Sequence, residues 1–157
     1  MERPGVAAGV TTADCVPVIL SLSRGLPGAV LHAGWRGIVK GIIREGVAKL
    51  LTLSAAPAGE VVAALGPAIG PCCYAVGEEV LEIFRERWPA SAFVDEGGRG
   101  RVDLRKAVFQ ELVEIGVPPE SVDVSGECTC CGKGYFSYRR DRNETRRQVS
   151  LLYYVEM

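Results

Sequence analysis

A thiol and an imidazole carry the first suggestion of chemistry in this sequence. Cys15 ends the stretch Thr12-Ala13-Asp14-Cys15, and the chain's one histidine, His32, opens His32-Ala33-Gly34-Trp35-Arg36-Gly37. A thiolate beside an imidazole supports two chemistries. One is a nucleophilic pair in which the imidazole lowers the thiol pKa. The other is a pair of zinc ligands, with sulfur at about 2.3 Å and nitrogen at about 2.0–2.1 Å. A buried cysteine and a hydrogen-bonded core histidine remain the plainer alternative. Arg36 weighs against it, because it puts a cation beside the histidine at a helix start, where an anion is welcome.

Three further stretches bear on chemistry. Gly66-Pro67-Ala68-Ile69-Gly70-Pro71-Cys72-Cys73-Tyr74 is a stiff loop through which a ligand can approach the backbone. No Gly-Lys-Ser/Thr follows, so it is not a Walker loop. Adjacent Cys72 and Cys73 read as small buried thiols of a rigid connector rather than as ligands of one ion. Cys128-Thr129-Cys130-Cys131 contains a C-x-x-C that could join Cys72 or Cys73 in a structural zinc site. The second C-x-x-C of a zinc ribbon is missing, which weighs against that. Finally, Tyr135-Phe136-Ser137-Tyr138-Arg139-Arg140-Asp141 and Thr145-Arg146-Arg147 set arginines beside aromatics. That pattern suits a phosphate or ribose with a stacked base, although a solvated charged face is the plainer reading.

These residues need elements to hold them. Val6–Val10 and Val16–Leu22 read as extended segments, Arg24 to Gly28 as a turn, and Ala29–His32 as a strand, so a hairpin would bring Cys15 and His32 together. A helix follows Gly34, with Ile38, Val39, Ile42, Ile43, Val47, Leu50 and Leu51 as its apolar stripe. Val61–Leu65 is a short strand. Gly77–Trp88 is a helix with Val80, Leu81, Phe84 and Trp88 on one face. Pro89 to Gly100 reads as an exposed loop. Asp103 is the N-cap of a helix over Leu104–Ile115 that ends at Gly116. Strands follow at Ser121–Ser125 and Val149–Val155, with a polar turn over Arg139–Arg147 between them. The pattern predicts an α/β (α+β) fold, a mixed-sheet sandwich with packed helices, in one domain over residues 1–157.

Composition bounds the function. The 157 residues carry a formal net charge of −1, 48% hydrophobic and 24% charged residues, the balance of a globular domain. A nucleic-acid binder would be clearly basic. No run of about 18 apolar residues suggests a membrane span. Met1-Glu2-Arg3-Pro4-Gly5 lacks a basic, then apolar leader, so a cytoplasmic protein with reduced thiols is expected. One histidine excludes a multicopper centre, and phenol oxidation with it, from a single copy of this chain.

Taken in order, Thr-Ala-Asp-Cys-x-Pro, His-Ala-Gly-Trp-Arg-Gly, Gly-Pro-Ala-Ile-Gly-Pro-Cys-Cys-Tyr and Phe-Ser-Tyr-Arg-Arg-Asp resemble the laccase-domain family, also called polyphenol-oxidase-like or peptidoglycan editing factor. The resemblance runs from about Val6 to Tyr154. It implies a fold like a toxin's cysteine-hydrolase domain. It implies a zinc-dependent cytoplasmic purine nucleoside phosphorylase acting on adenosine, inosine and methylthioadenosine, with adenosine deaminase activity. Partners are then a purine nucleoside and phosphate, with a homo-oligomer left open. By motif, Cys15 and His32 correspond to two of the family's three zinc ligands, and Asp14 joins them as a proton shuttle or a support behind the ligands. Arg36, Tyr138, Arg139 and Arg140 are the substrate-binding expectation, with Arg36 and Arg139 on phosphate. Two departures stand out. The family's third ligand, a histidine in an upstream Gln-Val-His, has no counterpart here, so the resemblance implies a chain lacking the family's N-terminal third. Arg146 stands where the family has glycine in Thr-Gly-Arg, which bears on the geometry of Arg147. Two alternatives stay open, a metal-free Cys15–His32 hydrolase and an inactive remnant of the family.

Overall fold

The computed structural model describes residues 5–142 and 146–155. The N-terminal stretch before Gly5 and Thr145 of the arginine motif lie outside the described residues.

The chain opens with strands β1 (Ala7–Thr12), β2 (Val16–Leu22) and β3 (Gly25–Ala33). β2 and β3 form the expected hairpin, with Val16 opposite Ala33 and Pro17 opposite His32. β3 is longer than its apolar core suggested and begins inside the expected turn, because Gly25 still pairs with Leu22 beyond a bulge that takes up Leu26 and Pro27. The single helix expected after Gly34 is two: α1 (Trp35–Val39) and α2 (Ile42–Ser54). The break falls at Gly41, whose φ of 88° is left-handed and belongs to glycine. The apolar stripe nonetheless holds across it, since Ile38, Ile43, Val47 and Leu50 are all buried.

Strand β4 (Val61–Leu65) pairs antiparallel with β2. After the Gly/Pro loop come β5 (Ala75–Val76) and α3 (Glu78–Arg87). The segment expected as a loop holds a 3₁₀ turn and two strands, β6 (Ala92–Val94) and β7 (Gly100–Val102). With β5 they form a small antiparallel sheet in the order β5-β7-β6. Helix α4 (Leu104–Ile115) has the expected bounds. The Asp103 carboxylate accepts from the N–H groups of Arg105 and Lys106, and Gly116 closes the helix in the left-handed region. β8 (Val122–Val124), the short α5 (Tyr138–Asp141) and β9 (Gln148–Tyr153) complete the chain.

The central sheet runs β3-β2-β4-β8 and is mixed, because β8 joins β4 in parallel. β2 is buried at Val16, Pro17, Val18, Leu20 and Leu22, so both of its faces are covered. Helix α2 packs on β3 and β2, and the antiparallel β1–β9 ribbon packs against the same two strands. Phe84 and Trp88 are buried together, ring centres 5.1 Å apart. Trp88 Nε1–H donates to the buried Glu111 carboxylate at 2.7 Å. Arg44 on α2 pairs with that same carboxylate and ties α2 to α4. No helix among the described residues is long and apolar enough to cross a membrane.

Candidate functional site

The cavity forms where the start of β2 meets the end of β3. Cys15 immediately precedes β2, and His32 is the penultimate residue of β3, so antiparallel pairing sets them side by side at one end of the sheet. A third strand of chain lies against them: Ile69 N–H donates to Asp14 O at 2.9 Å and Gly66 N–H to Pro17 O at 3.0 Å. Here the stiff Gly/Pro loop becomes a wall of the cavity. Gly34 turns the chain from β3 into α1 under Cys15. A Cβ at that position would lie 2.9 Å from Cys15 Sγ, so only glycine lets the thiol sit there without a shift.

Two connected lobes open from this point. The first, of about 290 Å³, is lined by Asp14, Cys15, His32, Trp35, Arg36 and Tyr74 among others. The second, of about 360 Å³, shares Asp14, Cys15, His32, Trp35 and Tyr74, and adds Tyr138, Arg139 and Arg147. Each lobe is near the lower end of the roughly 300–1,000 Å³ of small-molecule sites, and the shared residues make one cleft of them. The walls are aromatic and the rim is cationic. Arg36 stacks over the Trp35 ring at 4.5 Å, and Arg139 over the Tyr74 ring at 5.0 Å.

Asp14 organises this region. It is 8% exposed and takes a left-handed φ of 89°. Its Oδ1 accepts from Thr129 Oγ1 and its Oδ2 from the Arg139 N–H, each at 2.7 Å. Both oxygens are therefore committed to holding the 128–142 segment, and Arg139 is seated through its own backbone. The Arg139 guanidinium also donates to Ala75 O at 3.0 Å.

The titrating groups respond to this burial. Desolvation, followed by the Asp14 carboxylate, raises the Cys15 thiol above its ordinary value, with Arg147 opposing. Burial pushes the Tyr74 phenol up to about 12 against the pull of Arg139, so it stays protonated and can donate. His32 is exposed, which removes the core-histidine alternative.

The expected site residues thus separate. Asp14, Cys15, His32 and Arg36 share the first lobe, and Tyr138 and Arg139 line the second. Arg140 lines neither. Its guanidinium grips Asp141 through two hydrogen bonds of 2.7 Å and donates to Thr129 O, Cys130 O and Tyr135 O. It holds a loop together, a different task from the substrate contact expected of it. Arg147 does reach the cleft despite its Arg146 neighbour, which stacks on Phe136 at 5.0 Å. Tyr74, Trp35 and Thr129 were not singled out from sequence, although each adjoins a motif residue that was.

For a metal, the donor types at Cys15 and His32 suit zinc, yet their number falls one short of the three protein ligands of a catalytic centre. Among the described residues the one group of three or more such donors lies elsewhere. The sulfur atoms of Cys72, Cys73, Cys128 and Cys131 are all within 4.8 Å of one another and could hold a metal ion. This differs from the rigid-connector reading of Cys72 and Cys73. The chain there is a tight turn, with Cys73 and Tyr74 N–H groups both donating to Gly70 O, and a turn sends neighbouring side chains to one side. Burial opposes ionisation of Cys128, but N–H groups of Cys131, Gly70 and Cys130 outweigh it and bring that thiol down to about 6.

Known proteins share this architecture. A family model described as multi-copper polyphenol oxidoreductase laccase matches residues 1–155. The chain is 36% identical to purine nucleoside phosphorylase YlmD of Geobacillus stearothermophilus, over 96% of this chain and 57% of that protein. It is 36% identical to purine nucleoside phosphorylase YfiH of Escherichia coli, over 98% and 62%, and 38% identical to adenosine deaminase RL5 of an unknown prokaryote, over 87% and 53%. The crystal structure of G. stearothermophilus YlmD superposes with a TM-score of 0.89 at 35% identity, over 99% of this chain and 59% of that one. The chain thus spans between half and two thirds of the length of these relatives. From the matched motifs, the shared fold and this coverage of its own length, the chain belongs to the laccase-domain family.

Proposed function

We propose that this chain is a cytoplasmic purine nucleoside phosphorylase with adenosine deaminase activity, dependent on zinc held in part by Cys15 and His32. The observation that carries the reading is the convergence of a thiol, an imidazole, two aromatic walls and three arginines on one cleft. Trp35 and Tyr74 offer flat apolar surface to a purine. Arg36, Arg139 and Arg147 offer guanidinium groups to phosphate, with Arg139 held in place by Asp14. The protonated Tyr74 phenol is a donor for a ribose hydroxyl or a ring nitrogen.

Zinc, when bound, would polarise the substrate or activate a water.

The test is to measure zinc content alongside hypoxanthine release from inosine plus phosphate and ammonia release from adenosine. Both activities should fall with zinc removal and return with its addition. Arg139→Ala should raise KM for phosphate by about tenfold or more, the worth of one charge-assisted contact. Metal-free protein with full activity would refute the proposal.

A further inference from the structure

The four-cysteine cluster uses none of the residues that line the cleft. We infer that Cys72, Cys73, Cys128 and Cys131 form a structural zinc site that staples the two loops carrying the cleft's Tyr74 and Arg139.

The argument is geometric. Four sulfurs at about 2.3 Å from a central zinc form a tetrahedron with edges of about 3.8 Å. Cys72 Sγ and Cys131 Sγ are 3.7 Å apart, and all four sulfurs fall within 4.8 Å of one another. The backbone sets this spacing. Parallel pairing of β4 with β8 continues past the strands, through Ser125 N–H to Leu65 O, an isolated bridge between Ala68 and Cys128, and Thr129 N–H to Ala68 O. It delivers the C-x-x-C to the loop after β4. There Gly132 N–H closes a turn on Cys128 O at 2.8 Å, which puts Cys128 and Cys131 on one side of it. Gly70 N–H already donates to Cys128 Sγ at 3.1 Å, the backbone contact that steadies a metal-bound thiolate.

Soft thiolates in a tetrahedral set select zinc over oxygen-loving cations. No chemistry is required of the ion, since four protein ligands close its coordination sphere. Its effect is positional. Cys73 precedes Tyr74, and Cys128 precedes Thr129, whose hydroxyl donates to Asp14. Fixing the cysteines therefore fixes one aromatic wall and one support of Asp14. A redox pair of Cys72 and Cys131 would use two of the four thiols and leave the convergence of the others unexplained.

The experiment uses the full chain purified under reducing conditions. Zinc X-ray absorption is recorded on the wild type and on a Cys15→Ser/His32→Ala variant, so that a metal in the cleft does not contribute to the second spectrum. The expected result for that variant is one zinc per chain with four sulfur neighbours at about 2.3 Å. Cys72→Ser and Cys131→Ser, both at exposed positions, should each lose that zinc. No zinc, two or fewer sulfur neighbours, iron in its place, or a Cys72–Cys131 disulfide would each overturn the inference. The absorption measurement needs no cysteine-cluster variant to fold. A zinc-free cleft with a filled cysteine site would sink the proposed function alone.

Discussion

Replacing Asp14 tests how the cleft is assembled. Its carboxylate accepts from Thr129 Oγ1 and from the Arg139 N–H, both at 2.7 Å, and is nearly buried. Hydrogen bonds to a charged group contribute about 1.5–3 kcal/mol each. The two share one carboxylate and do not add fully, so their joint loss should cost about 3–4 kcal/mol. The backbone complicates an alanine variant, because a φ of 89° penalises a Cβ. Asp14→Gly removes both bonds without that strain. Asp14→Asn keeps both: its oxygen accepts from Arg139 N–H, its amide donates to the Thr129 hydroxyl, and asparagine tolerates left-handed backbone. It loses the charge alone, about 1 kcal/mol. Urea unfolding followed by circular dichroism should then show Asp14→Gly about 2–3 kcal/mol below Asp14→Asn with an unchanged m-value. For a chain of this size the gap corresponds to roughly 4–12 °C in Tm. A gap under about 1 kcal/mol would refute the view that Asp14 holds the 128–142 segment.

Other outcomes follow from single contacts. Glu111→Ala leaves the buried Trp88 indole N–H without its acceptor and should destabilise by about 1–3 kcal/mol, whereas Glu111→Gln should recover most of that, both read by Trp fluorescence during unfolding. Asp103→Ala removes the cap of α4 and should cost about 1 kcal/mol in the same assay. Because the Cys15 thiol is raised, its alkylation by iodoacetamide should be slow at neutral pH and accelerate only above the ordinary thiol range; fast labelling at pH 7 would contradict the burial described here. The Tyr74 phenol, held at about 12 by burial, binds its proton more tightly folded than unfolded. Its contribution is intact below about pH 10 and is lost as pH rises from there toward 12, so Tyr74→Phe should lessen alkaline unfolding in that window.

Local signals were legible where one stretch of chain sets its own geometry. Asp103 and Gly116 bound α4 because capping is decided within a turn of the helix end. The β2–β3 hairpin was legible too, and with it the meeting of Cys15 and His32. What escaped was non-local. Strands of two or three residues such as β5, β6 and β7 are too short to show alternation, and only pairing with one another makes them strands. The apolar stripe after Gly34 reads as one helix, while the left-handed backbone of Gly41 divides it into two. The cysteine cluster is suggested by the C-x-x-C but weighed against, because its assembly depends on parallel pairing between segments more than fifty residues apart. Arg140 matched a motif, yet its guanidinium is spent on carbonyls of its own loop, a choice that side-chain type does not reveal.

The segment from Ser125 to Arg142 has little regular structure and is moored at three points. Arg105 on α4 donates to Ser125 O and Glu127 O, Arg140 grips it from within, and Asp14 receives its far half. Anyone wishing to graft this loop onto a related scaffold, or to exchange it for one with another preference, would have to move its moorings with it. Two of them, Asp14 and Arg105, lie well outside the stretch being cut. A chimera joined at the loop's visible ends would keep the sequence of the cleft's rim and lose its shape, whereas one that also carries those two residues should keep both.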